Sequence, residues 1–586
     1  MRLRHLPLSF ASIVVSSLLG ISAVGAQDAE SASPAPVEAP VATPASTPDP
    51  RATPMPGNAA AAIASGKSIL KNGDFETPGK FEKWPDQWSQ PKVGGVWGDE
   101  NGNRFLRLVS PAPGEMVMVY RSIKIPPGTK ALTLTWRQRL IDVKAGPALW
   151  LDARIMLEFK DASGAKMSQK PGPPNAKGST KGWVEKSRSF LVPDGAKTLE
   201  FMPALFEVKK GTYDIDDIAL VPSDPAPVEA MVAARKATEA AAFVEREEAN
   251  PSKWPEELHV EGNRLVSKSG KEVWLQGIST SGLETLPEDK FIMKAAKVGV
   301  EEWKANIVRV PVKDEFWFGR NMLQKDGGEA YRKAVDDIIN LVANRGAYIL
   351  LDLHRYRGQT PEHVEFWKDA ATRYKNHPAV LFDLFNEPHD VTWEVWKNGG
   401  EIGMKKDADE AAFLSAEEKE KLAQLPKSLG MQALVNAVRE VGAKNIVVAG
   451  GISFANDLSG VTEGFALDDK SGNGIMYSWH CYNWHKNWKK NVLTAAEKYP
   501  IMVGEVGADT QKMTFIPANE QEDPYTWVPD MLGFIQKHRL NWTGWCMHPR
   551  VTPAMVTDWN FTPSPYWGAF AKDALSGKQF EMKRMR

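Results

Sequence analysis

The C-terminal part of the chain alternates apolar runs with amphipathic helices, and this pattern restricts the fold more than any other feature. Helical spacing separates the runs, as in Tyr331, Val335, Ile338 and Val342. Apolar runs without polar alternation are typical of strands buried on both faces. Eight such runs occur, at 274–279, 306–312, 347–354, 380–388, 445–452, 475–482, 501–506 and 542–548. We therefore predict an α/β fold, a closed (β/α)8 barrel (TIM barrel) over residues 251–586, with a hairpin of 259–264 and 266–273 closing its bottom.

Two of these runs end in a glutamate. The fourth ends with Asn386 and Glu387, and the seventh ends with Glu505. In a (β/α)8 barrel the carboxyl ends of the strands carry the catalytic side chains. A carboxylate there is costly unless it is paired or used. Two glutamates at this face are what glycoside hydrolysis requires, one to protonate the leaving oxygen and one to attack.

Other runs carry polar or aromatic side chains near their ends. Arg309 lies on the second run, His354 ends the third, His480 and Tyr482 share one face of the sixth, and Trp545 lies on the eighth. With Asn386 and the two glutamates, this set resembles that of glycoside hydrolase family 5 (cellulase family A), over roughly residues 260–575.

The resemblance implies a retaining mechanism through a covalent glycosyl-enzyme, with Glu387 as general acid/base and Glu505 as nucleophile. Arg309 and Tyr482 would hold Glu505 ionised, and Asn386 would bind the sugar 2-hydroxyl. His354 and His480 would be sugar-binding or supporting donors, and Trp545 would form the floor of the reacting subsite. The first run departs from many family members, since it ends in Leu275-Gln276-Gly277-Ile278-Ser279 where they have Arg-Gly-Val-Asn.

Several classes of function are disfavoured by composition. The chain has 72 Lys and Arg against 73 Asp and Glu, which makes no electrostatic case for nucleic acid. Its ten histidines are scattered without ligand spacing, so we predict neither a metal nor a cofactor. Cys481 and Cys546 alternate away from the barrel axis on strands about 9 to 10 Å apart, and we predict two buried free thiols.

The N-terminus has the features of a secretory signal peptide over residues 1–26. Arg2 and Arg4 precede an apolar stretch that ends in small residues at Val24, Gly25 and Ala26. The alternative, a membrane anchor, would need about 20 apolar residues, and this stretch is interrupted by serines. Residues 27–67 are rich in Pro and Ala and are predicted to be a disordered linker. We therefore expect a secreted protein, extracellular or periplasmic, without a membrane span and monomeric.

Residues 68–222 consist of short alternating runs separated by turns, which predicts an all-β sandwich or jelly roll. The segments 72–76 and 213–218 resemble the ends of jelly-roll carbohydrate-binding modules, whose terminal acidic groups often hold calcium. Residues 223–250 are predicted to be a helical linker, with a docked helix as the alternative. Candidate sugar platforms in the β domain are Trp84, Trp88, Trp97, Trp136, Trp150 and Trp183, of which Trp136 is expected in the core.

The chain contains 21 Trp, nearly twice its 11 Tyr. Tryptophan stacks on sugar rings but is also a large core residue. Near the barrel mouth, the candidate platforms are Trp393, Trp396, Trp479, Trp484, Trp488 and Trp527, with loop packing as the alternative. An extended aromatic cleft predicts internal cleavage of a polysaccharide. The first expectation is an endo-β-1,4-glucanase; β-mannanase and xyloglucanase are alternatives, and a noncatalytic glycan-binding protein is the alternative from another class.

Overall fold

A computed structural model of the chain describes residues 67–586 except 81–82, 147–149, 285–288, 322–323, 403–426, 514–515 and 518. The predicted signal peptide and all but the last residue of the predicted linker lie outside the described residues. Within the described part of the chain, no helix combines the length and the apolar character needed to cross a bilayer.

Residues 67–222 form two antiparallel sheets that share one apolar core, which confirms the all-β prediction. The first sheet has the strand order β1-β2-β10-β5-β8, and the second contains β3, β4, β6, β7 and β9. The strands are β1 (Gly95–Glu100), β2 (Asn103–Val109), β3 (Val117–Met118), β4 (Arg121–Lys124), β5 (Ala131–Lys144), β6 (Ala153–Lys160), β7 (Asn175–Ala176), β8 (Val184–Leu191), β9 (Thr198–Leu205) and β10 (Lys210–Pro222).

The tryptophans of this domain divide between core and surface. Trp136 is 4% exposed, as expected for the core. Trp84 and Trp88 are also buried, so their assignment as candidate sugar platforms is wrong. Their rings pack into the apolar core between the sheets, where a sugar cannot reach them. The remaining three candidates, Trp97, Trp150 and Trp183, keep exposed or partly exposed surface.

The acidic residues near the end of this domain are bound by arginines. Asp214 is fully buried and accepts hydrogen bonds from Arg107 and Arg139. Asp216, also fully buried, accepts from Arg137 and Asn103. Their oxygens are therefore already occupied by cationic and amide donors, which weakens the case for calcium at these two residues.

A helix follows the β domain, α1 (Ala226–Ala241), with Pro225 at its N-cap. The segment after it runs along the surface of a barrel helix. Arg246 pairs with Asp337 at 2.9 Å, and Asn344 Oδ1 accepts from the backbone N–H of Asn250. These contacts fasten the end of the segment to the barrel domain.

The barrel domain begins with a three-stranded antiparallel sheet, β11 (Leu258–Glu261), β12 (Arg264–Ser267) and β13 (Glu272–Val273). It contains the predicted hairpin. The backbone N–H of Val260 donates to the carbonyl of Asn473, two residues before a barrel strand begins at Ile475. The sheet therefore lies at the N-terminal end of the barrel, opposite the end that carries the two glutamates.

Eight parallel strands form a closed barrel, which confirms the predicted fold. They are β14 (Gln276–Ser279), β15 (Ile307–Val312), β16 (Tyr348–Leu353), β18 (Val380–Asp383), β22 (Val447–Gly450), β23 (Ile475–Tyr482), β24 (Ile501–Gly507) and β25 (Asn541–Gly544). Two-residue strands pair outside the barrel: β17 (Tyr356–Arg357) with β19 (Glu387–Pro388), and β20 (Gly400–Glu401) with β21 (Lys427–Ser428). The predicted runs 380–388 and 542–548 extend beyond β18 and β25 because the chain leaves the sheet at the mouth.

The helices between the strands bury their apolar stripes against the outside of the barrel. They are α2 (Asp289–Glu301), α3 (Asp314–Trp317), α4 (Glu329–Ala343), α5 (Pro361–Tyr374), α6 (Trp393–Asn398), α7 (Met431–Glu440), α8 (Ile452–Ala455), α9 (Thr494–Ala496), α10 (Pro524–His538) and α11 (Gly568–Leu575). Cys481 and Cys546 are free and buried, as predicted, and burial raises the pKa of both thiols well above the usual value.

Candidate active site

The structure brings the eight predicted site residues together at the C-terminal end of the barrel. Side-chain contacts join them into one cluster around Arg309 and Glu505. Their positions are Arg309 on β15, His354 just after β16, Asn386 and Glu387 after β18, His480 and Tyr482 on β23, Glu505 on β24 and Trp545 just after β25. The β18 chain reaches the mouth in an irregular segment, held where the N–H of Asn386 donates to the carbonyl of Leu353.

Glu505 is held by two donors. Arg309 Nη1 donates to Glu505 Oε1 at 2.8 Å, and the hydroxyl of Tyr482 donates to Oε2. Glu505 is only 4% exposed. A guanidinium and a hydroxyl on the two oxygens stabilise the carboxylate and orient it, which suits a nucleophile.

Glu387 has a different environment. Burial and the neighbouring charge of Glu505 raise its pKa well above the usual value. His480 Nδ1 lies 3.0 Å from Glu387 Oε1, and burial lowers the pKa of His480 well below its usual value, so the imidazole is neutral. The raised pKa favours the protonated form of Glu387, which suits a general acid.

The two carboxyl groups are close to each other. One oxygen of Glu387 and one of Glu505 lie within 4.8 Å, with a nitrogen of His480 in the same group. Retaining glycosidases place their carboxyls about 5 to 5.5 Å apart, and inverting ones about 6.5 to 9.5 Å. The separation of these two oxygens is closer to the spacing of retaining enzymes than to that of inverting ones.

Two buried aspartates complete the setting of Arg309 and were missed from the sequence. The guanidinium lies 3.0 Å from Asp352 Oδ2 and 3.0 Å from Asp383 Oδ2, and it donates to Asn386 Oδ1 at 2.7 Å. Both aspartates are fully buried. The sequence did contain a signal for both aspartates. Asp352 and Asp383 are acidic residues inside otherwise apolar runs, two and three positions before a predicted site residue.

His354 and Trp545 form a second part of the site. Their rings lie parallel, with centroids 5.6 Å apart and an interplanar angle of 3°. His354 Nδ1 lies 2.8 Å from Asp352 Oδ2, and the Tyr356 hydroxyl lies 3.1 Å from Nε2. Burial lowers the pKa of His354 to about 4, so the ring is neutral, and the tautomer protonated on Nδ1 donates to Asp352. Tyr356 was not predicted as a site residue.

Among the described residues, the one group of histidine, cysteine and acidic side chains close enough to hold a metal is Glu387, His480 and Glu505. Both oxygens of Glu505 already accept from Arg309 and Tyr482. A cation would have to compete with the guanidinium for that carboxylate. The donor set is therefore better suited to proton transfer and nucleophilic attack than to a metal.

Four of the six predicted sugar platforms near the mouth are wrong. Trp396, Trp479, Trp488 and Trp527 are completely buried. Trp396 lies on α6 and donates to the carbonyl of Gly450 at 2.8 Å, and Trp527 lies on α10 against Trp488. Trp479 lies on the face of β23 opposite His480, which packs against helices. Each ring therefore fills the layer between barrel and helices.

The other two, Trp393 and Trp484, keep partial exposure. Trp393 packs against Trp396, with ring centroids 5.0 Å apart, and beside Phe465. Trp484 lies parallel to Tyr482, with centroids 4.9 Å apart and an interplanar angle of 12°. Because Tyr482 contacts Glu505, Trp484 is the remaining candidate platform nearest the catalytic pair.

We expect Trp484→Ala to change substrate binding and Trp488→Ala to change stability. Trp484→Ala should raise KM about tenfold, the equivalent of about 1.4 kcal/mol of sugar stacking, with little change in stability. Trp488→Ala should instead lower the free energy of unfolding by about 3 to 5 kcal/mol, because it leaves a cavity in the core. Steady-state kinetics and urea unfolding of both variants measure this. An unchanged KM in Trp484→Ala would exclude it as a platform.

Comparison with known proteins agrees with this geometry. Residues 266–551 match the family model described as cellulase (glycosyl hydrolase family 5). Endoglucanase A of Butyrivibrio fibrisolvens is 25% identical over 259 residues, which cover 43% of this chain and 52% of that protein. Endoglucanase E-5 of Thermobifida fusca is 22% identical over 305 residues, 49% of this chain and 55% of that protein. The chain thus spans about half the length of the curated relatives it matches.

Among solved structures, the β-glucanase SdGluc5_26A from Saccharophagus degradans is similar with a TM-score of 0.43 and 21% identity, over 57% of this chain and 97% of that one. The family match begins after the β domain and ends shortly beyond β25. Residues 266–551 are thus similar to the cellulase family (glycosyl hydrolase family 5).

Proposed function

We propose that the protein is a retaining glycoside hydrolase that cleaves internal β-1,4 linkages of a β-glucan. The single observation that carries the proposal is the pair of carboxyls within 4.8 Å, one with its pKa raised and the other bound by an arginine and a tyrosine. The endoglucanase relatives support β-glucan as the substrate. β-Mannan and xyloglucan are the alternative substrates.

In the first step Glu505 attacks the anomeric carbon, and Glu387 gives its proton to the leaving glycosidic oxygen. A covalent bond forms to Glu505 as the glycosidic bond breaks. The negative charge of Glu505 disappears in this ester, so the pKa of Glu387 falls. Glu387 then removes a proton from the incoming water, which attacks the same carbon and restores Glu505 and the β configuration.

The remaining site residues support these steps. Arg309 donates to the amide oxygen of Asn386 and so fixes the orientation of this side chain. Nδ2 of Asn386 remains as the donor for the sugar 2-hydroxyl. The stacked pair of His354 and Trp545 forms the wall for the reacting sugar. Tyr482 orients Glu505, and the neutral His480 holds Glu387.

The other parts of the chain are assigned by the same proposal. Residues 1–26 export the protein, 27–67 and 223–250 are linkers, and 68–222 are a carbohydrate-binding module. Trp97, Trp150 and Trp183 are its candidate sugar contacts because they retain exposed surface. The protein acts as a monomer outside the cytoplasm on a polysaccharide, and needs no nucleic acid partner.

A panel of β-glucan, β-mannan, xyloglucan and xylan tests the proposal, with product lengths measured over time. We expect fastest cleavage of β-1,4-glucan, with intermediate oligosaccharides appearing first because internal bonds are cut. NMR of fresh product should show the β anomer before mutarotation. Initial α product would contradict the double displacement. Binding without cleavage of any polysaccharide would favour a noncatalytic glycan-binding protein.

A further inference from the structure

Three carboxylates share one guanidinium inside the barrel. Arg309 Nε, Nη1 and Nη2 contact Asp383 Oδ2, Glu505 Oε1 and Asp352 Oδ2 at 3.0, 2.8 and 3.0 Å. Arg309 and both aspartates have no solvent exposure. If all three carboxylates were ionised, two negative charges would be buried without a cation, which is strongly unfavourable.

The two aspartates are not equivalent. They are register partners on the adjacent parallel strands β16 and β18. Asp352 Oδ2 accepts from His354 Nδ1 as well as contacting Arg309, whereas Asp383 has Arg309 alone. Oδ1 of each has no hydrogen-bond partner among the described residues. The additional donor favours the ionised form on Asp352 and leaves Asp383 as the better carrier of a proton.

No second cation faces the pair in the described part of the barrel mouth. The side chains of His354 and His480 are neutral because burial lowers the pKa of both. The titratable and charged groups that contact or face the pair are Arg309 from β15, Glu284 after β14, His354 after β16, Glu387 after β18, His480 and Tyr482 from β23 and Glu505 from β24, and the charge of Lys313 after β15 acts on His354.

We propose that Asp352 and Asp383 are positioning residues that share one proton, held chiefly on Asp383. The positive charge of Arg309 is then not neutralised by two ionised aspartates and remains available to stabilise the carboxylate of Glu505. The proposal rests on the proposed function only in naming Glu505 as the nucleophile. Asp383 acts on the reaction through Arg309 and does not touch substrate.

The direction of the pKa changes agrees with this assignment. Burial raises the pKa of Asp352 to about 7 and that of Asp383 to about 8. The one negative charge left on the pair also helps to keep Glu387 protonated, since the charge of Asp352 raises the pKa of Glu387. A pair with one proton therefore serves both glutamates.

Infrared difference spectroscopy tests where the proton is, without any substrate. The variant Glu387→Gln serves as background, because it removes the neutral carboxyl of Glu387. In that background, between about pH 7 and pH 8, Asp383→Asn should remove one carbonyl stretch of a neutral carboxylic acid. Asp352→Asn should remove the same band, because Asp383 then becomes the ionised member of the pair.

A matched control is Asp314→Asn in the same background. Asp314 is also buried, but Arg355 offsets the effect of burial and lowers the pKa of Asp314 below its usual value. This substitution should remove a carboxylate band and no neutral acid band. If Asp352→Asn and Asp383→Asn behave like Asp314→Asn, both aspartates are ionised and the proposal is wrong.

The pH dependence of kcat, with Glu387 intact, gives a second test. Each single variant keeps one negative charge in the pair, so its alkaline limb should stay within a few tenths of a pH unit of the wild type. The double variant removes that charge, which makes deprotonation of Glu387 easier, and its alkaline limb should move down by about one pH unit. Equal, additive shifts from the two single variants would overturn the proposal. An inactive wild type would refute the proposed function and leave the infrared result standing.

Discussion

Replacing Glu505 by glutamine is expected to lower kcat by at least about four orders of magnitude, since an amide cannot form the glycosyl ester. The substitution keeps the shape of the side chain, and the protein should fold because Arg309 retains Asp352 and Asp383 as partners. Turnover of an aryl β-cello-oligosaccharide, with folding checked by circular dichroism, measures the loss.

Controls separate the nucleophile from the acid. Glu522→Gln removes a carboxylate that binds Arg586, outside the contacts of the catalytic pair, and should keep kcat within about twofold. With azide, Glu505→Ala should give an α-glycosyl azide, because the anion attacks from the side of the lost carboxylate. Glu387→Ala can still form the glycosyl ester with Glu505, and attack of azide on this ester should give a β-glycosyl azide. A Glu505→Gln enzyme within about tenfold of wild type would contradict the mechanism.

Replacing Arg309 by methionine is expected to destabilise the fold by about 3 to 5 kcal/mol, because it leaves buried carboxylates without their cation. Without the guanidinium that lowers them, the folded-state pKa values of Asp352 and Asp383 rise further above those in the unfolded chain, so the folded state binds more protons. The free energy of unfolding of the variant should therefore fall as pH rises. Its deficit relative to the wild type should be largest near about pH 8 and smaller near about pH 5. Urea unfolding across pH measures this, and hydrolysis should be lost as well.

Arg439→Met is the matched control for the charge. Arg439 is also largely buried and pairs with Asp469, a partner outside the site. Its loss should cost stability while kcat of the folded enzyme stays near the wild-type value. If Arg309→Met is as stable as the wild type at every pH, the buried carboxylates are not held by this arginine.

The barrel was predictable because burial on both faces of its strands leaves runs such as 445–452 without polar alternation. The position of Glu387 and Glu505 followed from the rule for strand ends. The positions of the strand ends could not be predicted from that rule. β18 stops at Asp383, and backbone hydrogen bonds to the end of β16 and the segment after it hold the next residues at the mouth. Such contacts depend on the neighbouring strand and are not visible in a local run.

Side-chain direction explains the other differences. Trp479 could have been excluded as a platform, since period-two alternation places it opposite His480. Trp396 and Trp527 could not, because their burial depends on how α6 and α10 pack on the barrel. Asp352 and Asp383 were overlooked because an acidic residue inside an apolar run was treated as part of the strand. Their role becomes visible only when three strands meet at Arg309.

The two buried thiols have a consequence for how this barrel is held together. Cys481 and Cys546 are the only cysteines of the chain and both are free, so no covalent bond links one strand to another. Neither sulfur ionises readily or meets solvent in the folded protein. They adjoin Tyr482 and Trp545 in sequence, and become open to chemistry only when the sixth and eighth barrel strands separate from their helices. Sulfur reactivity thus reports the opening of the catalytic end of the barrel.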